Sequence, residues 1–438
     1  LGSEEQASAE LRLAPGASPE LKLQSRFDVA DVAALKPLLP LRWGQSLKDW
    51  LERAVVRGRI AKATLEIDGP LADFPFHKKP TGHWSLQLPL TGARLQYAPN
   101  WPGVAQLAAT LNFTGNGLRF ETQRGNINGV AVTQTRGGIA DFADAPLVLD
   151  GKTVGEAPYY FAFLRASPLA TRLQALLSQS EAEGPAEADV HLEIPLHSSL
   201  GQKTVVHGSA RLLGNTLRHR VLDRPVQDIT GTLSFGTGVA AESLQARFYD
   251  LPVTARIAPN AEGFDEIDVT LRMDPSSADG VAAHYLPRWL LPQLQGAADW
   301  RVAIPLSGPH SGHVLLSSNL QGTAIKLPTP LNKSADESWP LKLDLSGDEA
   351  VPLTVLGEIP GRFGLGLRFM RSAAGQGAEL RGISVRLGTG SAPTRPVEDG
   401  WRLTAAVDAL DPGDWRQLIT AILNSDGGHG SRSEQEQR

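Results

Sequence analysis

The histidines are the first candidates for metal binding or acid–base catalysis. The sequence contains no cysteine, so thiolate ligands are excluded. His191, His197 and His207 fall in one predicted strand region, and His310 and His313 fall in a loop of sequence GPHSGH. His191 and His197 share a strand face but lie roughly 20 Å apart along an extended chain. The loop pair has no Asp or Glu beside it to complete a ligand set. We therefore predict no metal site and no cofactor.

Acidic residues recur where an apolar strand ends, and paired carboxylates could act as a general acid and base. They are Asp28, Asp150, Asp274 and Asp411. Four copies spread along the chain cannot converge on one substrate, so we interpret them as caps of the turn or helix that follows. The sequence has no Gly-x-Ser-x-Gly, His-Glu-x-x-His, phosphate-loop or calcium-loop motif. We predict that the protein is not an enzyme.

Composition favours a foldable protein that does not bind polyanions. The 438 residues are 41% hydrophobic and 20% charged, with a formal net charge of −5. A chain with this charge has no general basic field for phosphate backbones, which excludes nucleic acid as a partner. The sequence also has no run of about 18 apolar residues that could span a bilayer.

Most of the sequence alternates apolar and polar residues with a period of two, which predicts strands with one apolar face. In WSLQLPL, which starts at Trp84, the residues Leu86, Leu88 and Leu90 fall on one face. Turn residues such as Asn128-Gly129 separate these segments. We predict a mainly β protein of roughly 20 to 25 short antiparallel strands with a few short helices.

A short unit recurs three times, which indicates a copied module. Its copies read AKATLEIDGPL from Ala61, ADVHLEIPL from Ala188 and ADWRVAIPL from Ala298. A second segment recurs as VAQLAATLNF from Val104 and VQDITGTLSF from Val226. The predicted organisation is module 1 over 11–146, module 2 over 147–270, module 3 over 271–406, the start of a further module over 407–423, and flexible polar ends over 1–10 and 424–438. The unfinished copy predicts that the chain is part of a longer protein.

Helices are predicted near 45–57, 169–180, 280–291 and 414–423, where apolar residues recur at helical spacing. Each lies at a module boundary, so we interpret it as a cap over the end of a sheet or as a hinge. These helices lack the Lys/Arg-rich face of a helix that binds a membrane surface.

Several longer stretches combine the short motifs FPF, Tyr-x-x-x-Trp-Pro and Leu-Pro-x-Pro-Leu-x-Lys. They read LKDWLERAVVRGRIAKATLEIDGPLADFPF from Leu47, LQYAPNWPGVAQLAATLNFTGNGLRF from Leu95, LQGAADWRVAIPL from Leu294 and GTAIKLPTPLNKSADESWPLKL from Gly322. Together they resemble the AsmA-like envelope proteins of Gram-negative bacteria, and specifically the central periplasmic region of the YhdP branch.

The resemblance implies an elongated, curved antiparallel sheet of repeated modules that forms an open U-shaped groove, similar to bridge-like lipid transfer proteins. It implies a periplasmic segment of a protein anchored to the inner membrane. Phospholipids are the implied ligand, with their acyl chains shielded in the groove between the inner and outer membranes. Membrane components would be contacted through other parts of the protein. The resemblance implies no catalytic residues.

The apolar strand positions are the candidate lipid-contacting residues. A continuous apolar face must be covered, and the predicted helices are too few to cover it. Alternation alone fits either a sandwich core or a groove. With the resemblance we predict a groove lined by Leu65, Ile67, Leu86, Leu88, Leu90, Leu111, Phe113, Leu118, Phe120, Leu192, Ile194, Leu196, Leu233, Phe235, Val302, Ile304 and Leu306. A charged residue at Leu88 or Ile194 is expected to preserve folding and block lipid transfer.

Two other functions stay open at this point. The protein could be an assembly factor for outer-membrane β-barrel proteins, with exposed strand edges that pair with a client. It could also be a structural spacer of the envelope, which would tolerate charged residues along the apolar face.

Overall fold

A computed structural model describes most of the chain. The described residues are 6–13, 18–34, 52–171, 174–196, 204–219, 222, 224–236, 238–276, 280, 286, 288–306, 308–347, 353–371, 378–389, 396–407 and 411–426. They divide into two compact units, unit 1 (Leu1–Val239) and unit 2 (Ala240–Arg438). This division does not test the module boundaries predicted from the repeats, which stay a prediction.

The described residues are mainly β, with far more of them in strands than in helices. Their sheet structure is mixed and mostly antiparallel, which confirms the predicted mainly β fold class.

Unit 1 is an antiparallel meander. Its strands are β1 (Gln6–Arg12), β2 (Glu20–Val29), β3 (Val55–Pro70), β4 (His83–Leu95), β5 (Val104–Thr114), β6 (Gly117–Ile127), β7 (Val130–Val132), β8 (Thr135–Ile139), β9 (Leu147–Glu156), β10 (Ser180–Glu183), β11 (Pro185–Ile194), β12 (Val205–His219) and β13 (Val226–Phe235). From β1 to β6 each strand pairs with the next. The short strands β7 and β8 both join β6 to β9, and pairing then continues from β9 through β11 and β12 to β13. Strand β10 pairs with the end of β12.

Local turn chemistry explains this meander. Asn128 and Gly129 both have positive φ, 51° and 97°, and they connect the paired residues Ile127 and Val130. This is the two-residue hairpin whose backbone twist matches that of the strands it joins. The predicted turn is therefore confirmed, and it makes neighbours in sequence neighbours in the sheet.

The second repeated segment shares a backbone detail between its two copies. Gln106 in β5 and Asp228 in β13 occupy the third position of the segment, and both have φ of 52°. Left-handed backbone is uncommon for residues other than glycine. In β5 the register with the neighbouring strands also shifts beside this residue, as at a β-bulge. The copies have thus kept a specific bend as well as an apolar pattern.

A 3-10 helix (Leu71–Asp73) follows β3, and two α-helices of unit 1 lie between β9 and β10. They are α1 (Ala157–Arg165) and α2 (Gln174–Gln179), with a 3-10 helix (Pro168–Thr171) between them. Arg165 donates to the carbonyl oxygens of Leu177 and Ser180, which fixes the end of α1 to the end of α2.

The prediction near 169–180 is confirmed by α2, whereas α1 was not predicted. Proline in the first turn after Glu156 was its sequence signal. Of the helix predicted near 45–57, residues 45–51 lie outside the described residues. Residues 52–54 are helical, and β3 already begins at Val55.

Unit 2 continues the same pattern of sequential pairing. Its strands are β14 (Val239–Phe248), β15 (Leu251–Pro259), β16 (Asp265–Met273), β17 (Leu294–Gln295), β18 (Ala298–Pro305), β19 (His313–Ser318), β20 (Ala324–Ile325), β21 (Leu341–Ser346), β22 (Leu353–Ile359), β23 (Phe363–Arg371), β24 (Ala378–Gly388) and β25 (Gly400–Ala406). Apart from β17 and β20, which pair only with each other among the described strands, each pairs with the next one in sequence. The last pair, β24 with β25, is parallel.

The helix predictions for unit 2 have different outcomes. Helix α3 (Pro412–Asp426) confirms the prediction near 414–423. Near 280–291 the described residues 288–290 form a turn, and a 3-10 helix (Leu291–Gln293) follows. Residues 281–285 and 287 of the predicted segment lie outside the described residues, so the helix near 280–291 stays a prediction.

The acidic residues at strand ends were interpreted as caps, and two of them act in this way. Asp411 Oδ1 accepts the backbone N–H of Gly413 at 2.7 Å, at the start of α3, and Asp274 Oδ1 accepts that of Ser276 at 2.9 Å. Asp28 instead binds across the sheet, to the N–H of Lys62 at 2.7 Å. Asp150 binds a histidine on a neighbouring strand and is described below.

A buried lysine holds the long connection between β19 and β21. Lys333 is 2% exposed, and its Nζ donates to the carbonyl oxygens of Leu320, Thr323 and Ser334 at 2.8, 2.8 and 2.9 Å. Burial lowers the pKa of the Lys333 ammonium. All three N–H donors of the ammonium group are used, so Lys333 fixes the conformation of this connection.

Replacing Lys333 with Met should destabilise the protein by roughly 2 to 4 kcal/mol, because buried carbonyl oxygens would lose their donor. Urea unfolding measures this loss. The control is Lys326→Met, which removes an exposed lysine from the same connection and should change stability by less than about 0.5 kcal/mol. Equal stability of the two variants would contradict the role given to Lys333.

Candidate functional site

Two rows of apolar residues cross unit 1 from strand to strand. In row 1 each residue pairs with the next: Leu65, Leu86, Phe113, Leu118, Ile139, Leu147 and Ile194, from β3, β4, β5, β6, β8, β9 and β11. Row 2 runs beside it through Leu88, Leu111, Phe120, Gly137, Leu149, Leu192 and Val206. Since members of the two rows lie two residues apart on every shared strand, both rows face the same side.

The other predicted lining residues of unit 1 extend this face. Leu90 lies opposite Ala109, and Ile67 lies opposite Trp84. Further along the meander, Leu233 pairs with Ala210, and Phe235 lies over Gly208, where a Cβ would come within 2.8 Å of the Phe235 ring. The small residues at these positions make room for the larger side chains opposite them.

Two buried clusters lie on this face and share neighbours. Cluster A consists of Val29, Ile60, Ala63, Leu88, Leu90, Ala93, Val104, Leu107, Ala109 and Val132. Cluster B consists of Ile139, Phe142, Leu147, Ile194 and Leu196. Tyr97 and Phe113 pack against both clusters. The apolar face of unit 1 is therefore continuous.

The predicted lining residues are mostly only half covered. Leu88, Leu90, Ile194 and Leu196 are buried, at 6%, 6%, 7% and 5% exposure, and all the other predicted positions are half-buried. Inward-facing residues of a closed sandwich would be almost fully buried. The face thus retains apolar surface that the described residues do not cover.

Unit 2 carries an apolar row of the same kind. Val302 in β18 lies opposite Val269 on one side and Leu316 on the other, and Ile304 lies opposite Ile267. Leu306 follows the end of β18, where its N–H donates to the carbonyl oxygen of Asp265 at 2.8 Å. All three predicted residues are half-buried, as in unit 1.

A group of three aromatic side chains at the margin of the unit 1 face was not predicted from the sequence. The rings of Tyr97 and Trp101 lie 6.4 Å apart, and Trp101 lies 5.9 Å from Phe163 of α1. Burial raises the pKa of the Tyr97 phenol. The group connects α1 with the segment between β4 and β5. The sequence signal was the Tyr-x-x-x-Trp-Pro motif, which by itself names no partner.

The polar face of unit 1 brings together histidines that are distant in sequence. His191 Nδ1 lies 2.7 Å from Asp150 Oδ1, its Nε2 lies 3.3 Å from Glu193 Oε1, and its ring lies 4.6 Å from that of His207. Of the histidines weighed as ligands, His197 lies outside the described residues. Among the described residues no group of three or more acidic or histidine side chains is arranged to hold a metal ion.

Asp150→Asn should lower the pKa of His191. The hydrogen bond that the protonated ring donates to Asp150, followed by the one it donates to Glu193, raises this pKa above the ordinary 6.5. A raised pKa means that the interaction stabilises the fold below about pH 6.5, and that this stabilisation is lost as the pH rises through the folded-state pKa. NMR titration of the His191 ring measures the shift, with Asp144→Asn as a distant control. An unchanged His191 pKa in Asp150→Asn would contradict the assignment.

These observations define a class of protein: a β-meander with one continuous, half-covered apolar face and one polar face. The model of the family described as YhdP protein matches residues 4–437, so the chain belongs to the YhdP family. The chain is also 26% identical over 310 residues to the intermembrane phospholipid transporter YhdP of Escherichia coli (strain K12). That alignment covers 70% of this chain and 24% of the relative, so the chain spans well under two thirds of the relative's length. No solved structure matches the chain.

Within the part of the chain that the structure describes, no helix is both long and apolar enough to cross a bilayer.

Proposed function

We propose that this chain is a periplasmic segment of an intermembrane lipid-transfer protein, and that its apolar face shields the acyl chains of phospholipids. One observation carries the proposal: the continuous apolar face of unit 1, whose rows 1 and 2 are mostly half-buried. Membership of the YhdP family and the similarity to the intermembrane phospholipid transporter YhdP of Escherichia coli support it.

The energetic reason is the cost of moving an acyl chain through water. Exposing a chain of about 16 carbons costs on the order of 12 kcal/mol, at about 0.8 kcal/mol for each CH₂. A continuous apolar face lowers this cost at every step along the path. The mechanism needs no bond to be made or broken, so the segment is proposed to act as a conduit and not as an enzyme.

Lipid extraction from the purified chain, followed by mass spectrometry, tests the proposal. We expect phospholipids to co-purify, with diacyl species dominant. A preparation that is folded by circular dichroism but contains no phospholipid would contradict the proposal and favour a spacer. Capture of unfolded outer-membrane β-barrel protein in place of lipid would favour an assembly factor.

A further inference from the structure

Three arginines gather at the margin of unit 1 where β3 begins and β4 ends. Arg57 lies directly opposite Arg94, and Arg59 lies opposite Thr91 in the same pair of strands. All three are exposed. We call them the arginine cluster. Arg94 is the residue before the last of β4, so its long side chain can reach past the end of the strand.

The backbone places the arginine cluster on the polar face of the sheet, on the side opposite cluster A. A Cβ on Gly58 would lie 3.0 Å from both Ala93 Cβ and Leu90 Cδ1, so position 58 faces cluster A. Arg57 and Arg59 therefore face the other side, since successive residues of a strand alternate. Arg94 lies between Ala93 and Leu95, which both contact cluster A. Its guanidinium is thus on the same side as those of Arg57 and Arg59.

No acidic side chain among the described residues forms an ion pair with these arginines. Elsewhere the chain places acids opposite its strand arginines, as in Arg272 with Asp299 at 3.0 Å and Arg301 with Asp268 at 2.7 Å. Like charges directly opposite each other destabilise a sheet. Two arginines in such a position, in a chain of net charge −5, point to an anion that binds between them.

An open cleft lies beside Arg57 and Arg59, and Arg94 is not among the residues that line it. It is lined by Ala30, Asp31, Arg57, Gly58, Arg59, Thr91 and Gly92. Asp31 is the acid in it, and its Oδ1 accepts the N–H of Ala33 at 3.0 Å. Gly92 has φ of 62° and nothing within 4 Å of the position where a Cβ would lie. The cleft thus combines two guanidinium groups, one acid and an open stretch of backbone.

We propose that the arginine cluster binds a phosphate group. The planar guanidinium presents parallel N–H donors that match two oxygens of a phosphate, and this geometry suits Arg better than Lys. This inference rests on the proposed function for the source of the phosphate, a phospholipid whose acyl chains lie on the apolar face of unit 1. Arg94, one residue before the end of β4, would then hold the headgroup at the margin of that face.

Binding of two soluble lipids to the full chain tests the site. Dihexanoylphosphatidylglycerol, below its micelle concentration, carries the phosphate, and dihexanoylglycerol does not. In the variant Arg57→Gln/Arg94→Gln, affinity for the phospholipid should fall about tenfold, which corresponds to about 1.4 kcal/mol, and affinity for dihexanoylglycerol should stay unchanged. The matched control Arg26→Gln/Arg119→Gln removes two exposed strand arginines elsewhere on unit 1 and should keep both affinities.

The outcomes separate this site from the proposed function. Equal phospholipid affinity of the folded variant and the wild type would overturn the phosphate site and leave the apolar face standing. If the wild type binds neither lipid, the proposed function fails, and titration with inorganic phosphate then decides the site. Phosphate binding that depends on Arg57 and Arg94 would support it with free phosphate as the source, and the absence of such binding would overturn it.

Discussion

In the variant Phe120→Asp, the amount of phospholipid that co-purifies with the chain is expected to fall about tenfold or more, while the protein stays folded. Phe120 lies in row 2 between Leu111 and Gly137, and it is half-buried. An aspartate there keeps part of its solvation in the free protein, so folding tolerates it. An acyl chain laid over the same position would strip that water from the carboxylate, at a cost of several kcal/mol. Mass spectrometry of co-purified lipid measures the effect.

The neighbouring residue supplies the control for this experiment. Arg119 is exposed on the opposite face of the same strand, so Arg119→Asp also introduces an acid into β6. We expect this variant to retain lipid at the wild-type level. If folded Phe120→Asp retains as much lipid as Arg119→Asp, row 2 does not contact acyl chains.

Leu88→Asp should have a different effect, the loss of the fold of unit 1. Leu88 is 6% exposed and belongs to cluster A, where it has no water to solvate a charge. Burying an unpaired carboxylate should cost at least about 4 kcal/mol, a large part of the stability of an ordinary domain. Thermal unfolding and limited proteolysis measure it, with Gln87→Asp on the exposed face of β4 as the control.

A wild-type melting temperature for Leu88→Asp would show that cluster A is not a core. The expectation from sequence was that charges at Leu88 or Ile194 preserve folding. At 6% and 7% exposure, both positions instead report on stability, and the half-buried residues beside them are the better probes of transfer.

The faces of the strands could be predicted from sequence because their period is two. Alternation in β4 and β6 places Leu86, Leu88, Leu118 and Phe120 on one side, and the observed register confirms that they share rows. Alternation does not say how deeply each side chain is covered. Leu88 and Phe120 look equivalent in sequence, yet only Leu88 is buried. The exposed fraction of a side chain depends on the tertiary contacts around it, which alternation along one strand does not specify.

Contacts set by register could not be predicted from local patterns. His191 contacts His207 and Asp150 because β11 lies between β12 and β9 in the sheet. This contact depends on which strands pair, and the spacing of the residues along the chain does not reveal it. The left-handed backbone conformation of Gln106 and Asp228 could not be predicted either, since neither residue is a glycine or an asparagine. The opposition of Arg57 and Arg94 also depends on a register shift within β3 and β4.

The sequential pairing of the strands has a consequence for how the chain acquires its structure. From β1 to β6 every strand finds its partner in the segment that directly precedes it. Loop-closure entropy is small for such local contacts, and chains rich in them fold quickly. The chain could therefore add one hairpin at a time to an existing edge, and each newest strand would be the edge to which the next strand adds.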